Sequence, residues 1–161
     1  KGENIMGSRR IGLGRIETLL ENLKRALDLG TATLKAASAT LTTGNLQLDA
    51  GTIDIADGVT VVQASSKTTG VTASAFAGKI TMNGAALAAG VEAVFTVTNT
   101  KIAATDIVIV NHASAGTAGA YMVHVVEVGA GSFKIGVGNV SGGPLSEAIV
   151  LHFAVIKMKH A

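Results

Sequence analysis

From Val71 to the C-terminal end, turn signals come so often that the stretches between them are too short for helices. Asn83-Gly84, Gly116-Thr-Ala-Gly119, Gly129-Ala-Gly131 and Ser141-Gly-Gly-Pro144 punctuate this half of the chain, and Gly, Asn and Pro are the residues that tight turns demand. The intervening stretches alternate. Val91-Glu-Ala-Val-Phe-Thr-Val-Thr-Asn99 and Tyr121-Met-Val-His-Val-Val-Glu-Val128 place apolar residues two apart, which is one face of a strand. The pattern predicts strands near 71–76, 79–82, 91–99, 106–112, 120–128, 132–137 and 148–157. Gly129-Ala-Gly131 joins two alternating runs, which is a hairpin signal. Seven or eight short strands with such turns predict a mainly β fold, an antiparallel β-sandwich of jelly-roll-like or immunoglobulin-like type spanning 71–161. Helical patterning between the strands is missing, which excludes an α/β fold.

Ahead of the sandwich lies a seven-residue repeat. Its units open on Gly30, Ala37, Gly44, Gly51 and Gly58, with apolar residues two and four positions later. Leu34, Leu41, Leu46, Leu48, Ile53 and Ile55 fill those slots as the expected core of a β-repeat stem over 30–64. The last unit slips phase: Thr60 takes the first slot while Val59 and Val61 flank it. About three such units make one coil of a three-faced solenoid, so this repeat makes fewer than two. Repeat units need neighbours to bury their faces, and other copies of the chain are the expected source. Residues 63–70 read as a polar linker and as the boundary between stem and sandwich.

Residues 15–29 predict the chain's one helix, amphipathic and stopped by Gly30. Ile16, Leu19, Leu23 and Ala26 satisfy coiled-coil spacing over two heptads, a length that associates only if something else holds the chains together. Residues 1–14 read as an extended basic arm, in which Arg9, Arg10, Ile11, Leu13 and Arg15 suit an acidic, partly apolar surface. Charge concentrates here. Residues 1–28 carry six cations and four anions, and the other 133 residues carry seven of each. A chain that is 48% hydrophobic but only 15% charged is expected to cover much of its surface with copies of itself or with a partner.

Chemistry is hard to find in this sequence. With no cysteine, thiol catalysis, disulfides and cysteine-ligated metals are excluded. His112, His124, His152 and His160 are scattered, without the tight spacing of a metal motif. No nucleophile elbow, phosphate-binding loop or supported carboxylate pair occurs. Asn139-Val-Ser141 matches a glycosylation acceptor by chance. Aromatics are 3% of the chain, too few for the stacking platforms of nucleic-acid binding, and no stretch reaches the length of a membrane-spanning helix. The expectation is a non-enzyme without cofactor or metal, with no nucleic-acid or membrane partner.

Two segments resemble virion structural proteins of marine tailed bacteriophages. Met6-Gly-Ser-Arg-Arg-Ile-Gly-Leu-Gly-Arg-Ile-Glu-Thr-Leu-Leu-Glu-Asn-Leu-Lys-Arg25 is similar to a leader on several such proteins. Thr96-Val-Thr-Asn99, Ala104-Thr-Asp-Ile-Val-Ile-Val-Asn111, Ala115-Gly-Thr-Ala-Gly-Ala-Tyr121 and Glu147-Ala-Ile-Val-Leu-His-Phe-Ala-Val-Ile-Lys157 resemble a β-domain common among them. The resemblance implies a virion location, assembly in the host cytoplasm, and partners that are virion proteins. A homotrimeric capsid decoration (cement) protein is the first expectation, anchored to the major capsid protein by its arm. The alternative is a tail- or head-fibre module whose loops 113–118 and 141–145 contact a host receptor.

Overall fold

The computed structural model describes Arg15, residues 52–55 and residues 58–158. The chain divides into two compact units, 1–50 and 51–161, and nearly every described residue belongs to the second. Eight strands build it: β1 (Gly58–Val62), β2 (Val71–Thr72), β3 (Ala77–Thr81), β4 (Glu92–Thr98), β5 (Ile107–Ser114), β6 (Tyr121–Gly129), β7 (Ser132–Asn139) and β8 (Val150–Ile156). They form two four-stranded sheets, ordered β1-β3-β8-β5 and β2-β4-β7-β6. The protein is mainly β, a sandwich of two sheets, with the hairpin expected around Gly129–Gly131 joining β6 to β7.

Three sequence-based expectations change here. The sandwich is not wholly antiparallel, because β1 pairs with β3 and β2 with β4 in parallel. From β1 to β4 the chain passes back and forth between the sheets, laying each strand beside the one two before it. That is two turns of a flattened coil, and crossing between sheets is what lets close neighbours in sequence run parallel. The strand order also departs from the immunoglobulin pattern of one A-B-E-D sheet facing C-F-G. Finally, the boundary at 63–70 is overturned. Gly58–Val62, read as the last stem unit, is an edge strand of the sandwich, with Val59 and Val61 packed against the core.

The supposed linker is a packed turn. Gln63 is 2% exposed and Lys67 3%. Gln63 Nε2 donates to the carbonyls of Lys67 and Thr69 at 3.0 and 2.8 Å, and its Oε1 accepts from the Asn83 amide at 3.1 Å. Lys67 Nζ donates to the backbone carbonyls of Asn83 and Glu147 at 2.7 and 2.5 Å. Burial pushes its ammonium below the ordinary range, and the Glu147 carboxylate partly opposes that. A run of Ser, Thr and Lys reads as solvated, but here its polar groups close on one another and on backbone.

Between the sheets, Phe95, Val97, Phe133, Ile135 and Val137 of one meet Ile80, Leu151, Phe153 and Val155 of the other. The Phe133 and Phe153 rings lie 5.4 Å apart and tilted by 56°, a geometry that aromatic pairs favour. Gly78 sits below Phe153. A Cβ there would come within 2.4 Å of the ring, so this strand position accepts no side chain while Phe153 keeps its place.

Two buried asparagines close the ends of the second sheet. Asn99, just after β4, donates from Nδ2 to the Ala75 carbonyl at 2.8 Å and accepts the Lys101 amide at 3.0 Å. Asn139, ending β7, donates to the carbonyls of Leu87 and Gly143, both at 2.8 Å, and accepts the Ser141 amide at 2.9 Å. Each side-chain oxygen takes the amide two residues on, the Asx turn that makes Asn a strand terminator.

Candidate functional site

The loops at one end of the sandwich converge. Leu87 and Leu145 form an isolated bridge, Asn139 ties both Leu87 and Gly143, and Thr117 bonds Glu147 through its amide (3.0 Å) and its hydroxyl (2.9 Å). The opposite end holds the start of β1 and the end of β8, since Gly58 pairs Ala77, which pairs Ala154. Loops 113–118 and 141–145, nominated above for receptor contact, are thus brought together at the end away from both chain ends of the sandwich. Their side chains are small, and the one aromatic nearby is Tyr121.

The first of these loops is strained and strapped down. Ala115 (φ 61°) and Gly116 (φ 81°) are both left-handed, unusual for Ala. His112 Nε2 lies 2.7 Å from the Ala115 carbonyl, so that nitrogen carries the proton. Gly116 lies over Tyr121 and Glu147; a Cβ on it would stand 3.2 Å from the Tyr121 ring and 2.6 Å from Ile149. Beneath it the Tyr121 hydroxyl is buried without a partner at bonding distance, and it faces the Glu147 carboxylate. Burial first, and Glu147 second, push the phenol up to about 12. Thr117 holds the Glu147 carboxyl below the usual range.

A test follows from Tyr121 being the chain's single tyrosine, with no tryptophan present. Ultraviolet titration of the native protein is expected to show tyrosinate forming near pH 12, against about 10 in denaturant. The folded state binds this proton more tightly than the unfolded chain. Its contribution is therefore complete below about pH 10 and falls as pH rises toward 12. A native midpoint near 10 would mean the strap does not seal the ring.

The outer face of the β2-β4-β7-β6 sheet is a different surface. Glycine at 136 and 138 leaves that part of β7 without outward side chains, and His124 from β6 reaches across to Glu92 of β4, Nε2 to Oε1 3.1 Å, over Gly136. Both side chains are 43% exposed. Val94, Met122 and Val126 lie uncovered around them. His124 is therefore a surface group, and its alternation with Met122 reflects a shared outward face.

The β1-β3-β8-β5 sheet is barer still. Ile107, Ile109 and Ile156 on its outer face are 46, 52 and 48% exposed. Ile107 and Ile156 are direct cross-strand partners, so the three make one patch. At the other edge, Gly58, Thr60, Ala77, Lys79 and His152 floor an open hollow of about 560 Å³, flanked by Asp54 and Ile55.

Of the residues singled out in the sequence, Arg15 is exposed. Ile53 and Ile55, expected as stem core, are 77 and 38% exposed. Arg9, Arg10, Ile11, Leu13, Ile16, Leu19, Leu23, Ala26, Leu34, Leu41, Leu46 and Leu48 lie outside the described residues, as do the arm, the helix beyond Arg15 and most of the stem. Among the described residues, no three His, Asp or Glu side chains are grouped as metal ligands would be, and no helix is long and apolar enough to cross a membrane. Sequence reasoning missed Glu147, Lys67 and Asp106. Asp106 accepts from Lys157, the Ala103 amide (2.7 Å) and the Met158 amide (3.2 Å), clamping the end of β8. Single charged residues in loops carry no periodic signal, and only tertiary structure gives them partners. No protein-family model, curated protein or solved structure matches this chain.

Proposed function

We propose that this chain is a virion structural protein, a trimeric decoration protein that stabilises a bacteriophage head. In this reading residues 1–14 anchor to the major capsid protein, the helix and the repeat stem associate between copies, and the sandwich projects. The observation that carries it is the aliphatic surface left bare on both sheets of a charge-poor domain: Ile107, Ile109 and Ile156 on one, Val94, Met122 and Val126 on the other. Such surface on a single chain calls for association. The resemblance of residues 6–25 and of the sandwich segments to phage structural proteins supplies the setting.

The second reading, a fibre module, is favoured by the gathering of loops 113–118 and 141–145 at one end. Binding hot spots favour Trp, Tyr and Arg, and these loops contain none, which places it second. Counting copies per particle by quantitative mass spectrometry separates the two. Hundreds are expected for decoration, and a few tens or fewer would overturn it. The paired change Arg9→Glu with Arg10→Glu is expected to lower occupancy on capsids, and full retention would count against the arm as anchor.

A further inference from the structure

Sheet edges need protection, since an exposed row of backbone donors and acceptors recruits other strands. The β2-β4-β7-β6 sheet protects both of its edges by recognised devices. Strand β2 is only two residues long, and β6 carries a bulge between Val125 and Glu127 along with charged side chains. The other sheet is protected only at one end of β5, where a bulge falls between His112 and Ser114. Its edges are β1, Gly-Val-Thr-Val-Val, and β5, Ile-Val-Ile-Val-Asn-His-Ala-Ser, with no Lys, Arg, Asp, Glu or Pro in either.

The two bare edges match each other. Strand β1 is parallel to β3, β3 antiparallel to β8, and β8 antiparallel to β5, so β1 and β5 run in the same direction. At β5 the outer surface is a ridge of Ile107 and Ile109 backed by Ile156, and at β1 it is the hollow whose small residues Gly58, Thr60 and Ala77 lie beside Lys79 and His152. Nothing lies within 4 Å of where a Gly58 Cβ would be. Ridge and hollow sit in one row of the sheet, because Gly58 pairs Ala77, Ala77 pairs Ala154, and Ala154 pairs Ile109.

We propose that β5 of one copy pairs in parallel with β1 of the next, seating its isoleucine ridge in that copy's hollow. An edge-to-edge contact between unlike edges is heterologous, so it closes into a ring or runs on as a fibre. Three copies close it, which ties this interface to the trimer proposed above and rests on that reading. The occupant is a second copy because the two edges run in the same direction in one row, so a single contact between copies covers one of each. An upstream repeat unit laid on β1 leaves Ile107, Ile109 and Ile156 bare.

Cysteine pairs test this, in a chain that has no cysteine of its own. Ile109→Cys is combined in turn with Gly58→Cys, Thr60→Cys or Val62→Cys in the full chain, so that any register of the junction is sampled. Within one copy these positions lie across a four-stranded sheet, roughly three strand spacings or 14 Å apart, beyond the reach of about 7 Å for a disulfide. Any bond is therefore between copies. At least one pair is expected to give a non-reducing ladder ending at covalent trimer, while Ile109→Cys alone stays monomeric on the gel. Covalent dimer from Ile109→Cys alone would mean a two-fold β5–β5 junction and overturn the proposal. So would the absence of cross-links from all three pairs when light scattering still reports a trimer, and in that case the trimer stands while its interface lies elsewhere. A monomer by light scattering, with no cross-links, removes both.

Discussion

Replacing Phe133 with alanine is expected to lower the free energy of unfolding by about 3–5 kcal/mol, the largest single loss in the domain. Phe133 is 1% exposed and touches Phe153 of the facing sheet, so its removal opens a cavity where the two sheets meet. Phe153 is itself held against Gly78, and the rest of the surrounding core is mostly aliphatic, so no side chain is free to fill the gap. Close-packed interiors relax only partly around lost volume, and the residual void adds to the lost transfer energy. Urea denaturation monitored by circular dichroism checks this. A fall in midpoint at unchanged slope is the expected result, and a loss below 1 kcal/mol would mean that the sheets close up on each other.

Asn139→Ala comes next, at about 2–4 kcal/mol. The side chain is 1% exposed and satisfies the carbonyls of Leu87 and Gly143 as well as the amide and hydroxyl of Ser141. Alanine leaves several of these groups without partners, and each buried orphan costs about 1–3 kcal/mol. Water entering the loops recovers part of that, which sets the range below a simple sum. Hydrogen exchange is expected to rise first at residues 84–91 and 140–147, the loops that this side chain joins. Uniform acceleration across the domain would instead mean that Asn139 supports the whole sheet.

Local order in this protein was written locally. Alternation placed β4, β6, β7 and β8 close to where they lie, since a strand with one buried face must repeat every second residue. The Gly129-Ala-Gly131 hairpin followed from turn residues set between two alternating runs. Even the phase slip at Gly58–Val62 carried information. It marks where Val59 and Val61 turn into the core and Thr60 turns out, so the repeat ends by becoming the sandwich's first strand.

What alternation could not convey is which strand lies beside which. Pairing is decided by the summed burial of both sheets, and nothing in Gly58–Val62 or Ala77–Thr81 declares that they run parallel with β2 passing across the other sheet between them. The polar stretch 63–69 misled for the same reason. Gln63 and Lys67 look solvated by residue type, and they are buried because Asn83 and Glu147, far along the chain, bring carbonyls and amides to meet them. Composition by itself established an aliphatic, charge-poor β protein with surface to cover. Only the tertiary structure decided where that surface lies, because Ile107, Ile109 and Ile156 are exposed once β5 and β8 pair side by side and no described residue covers their outer face.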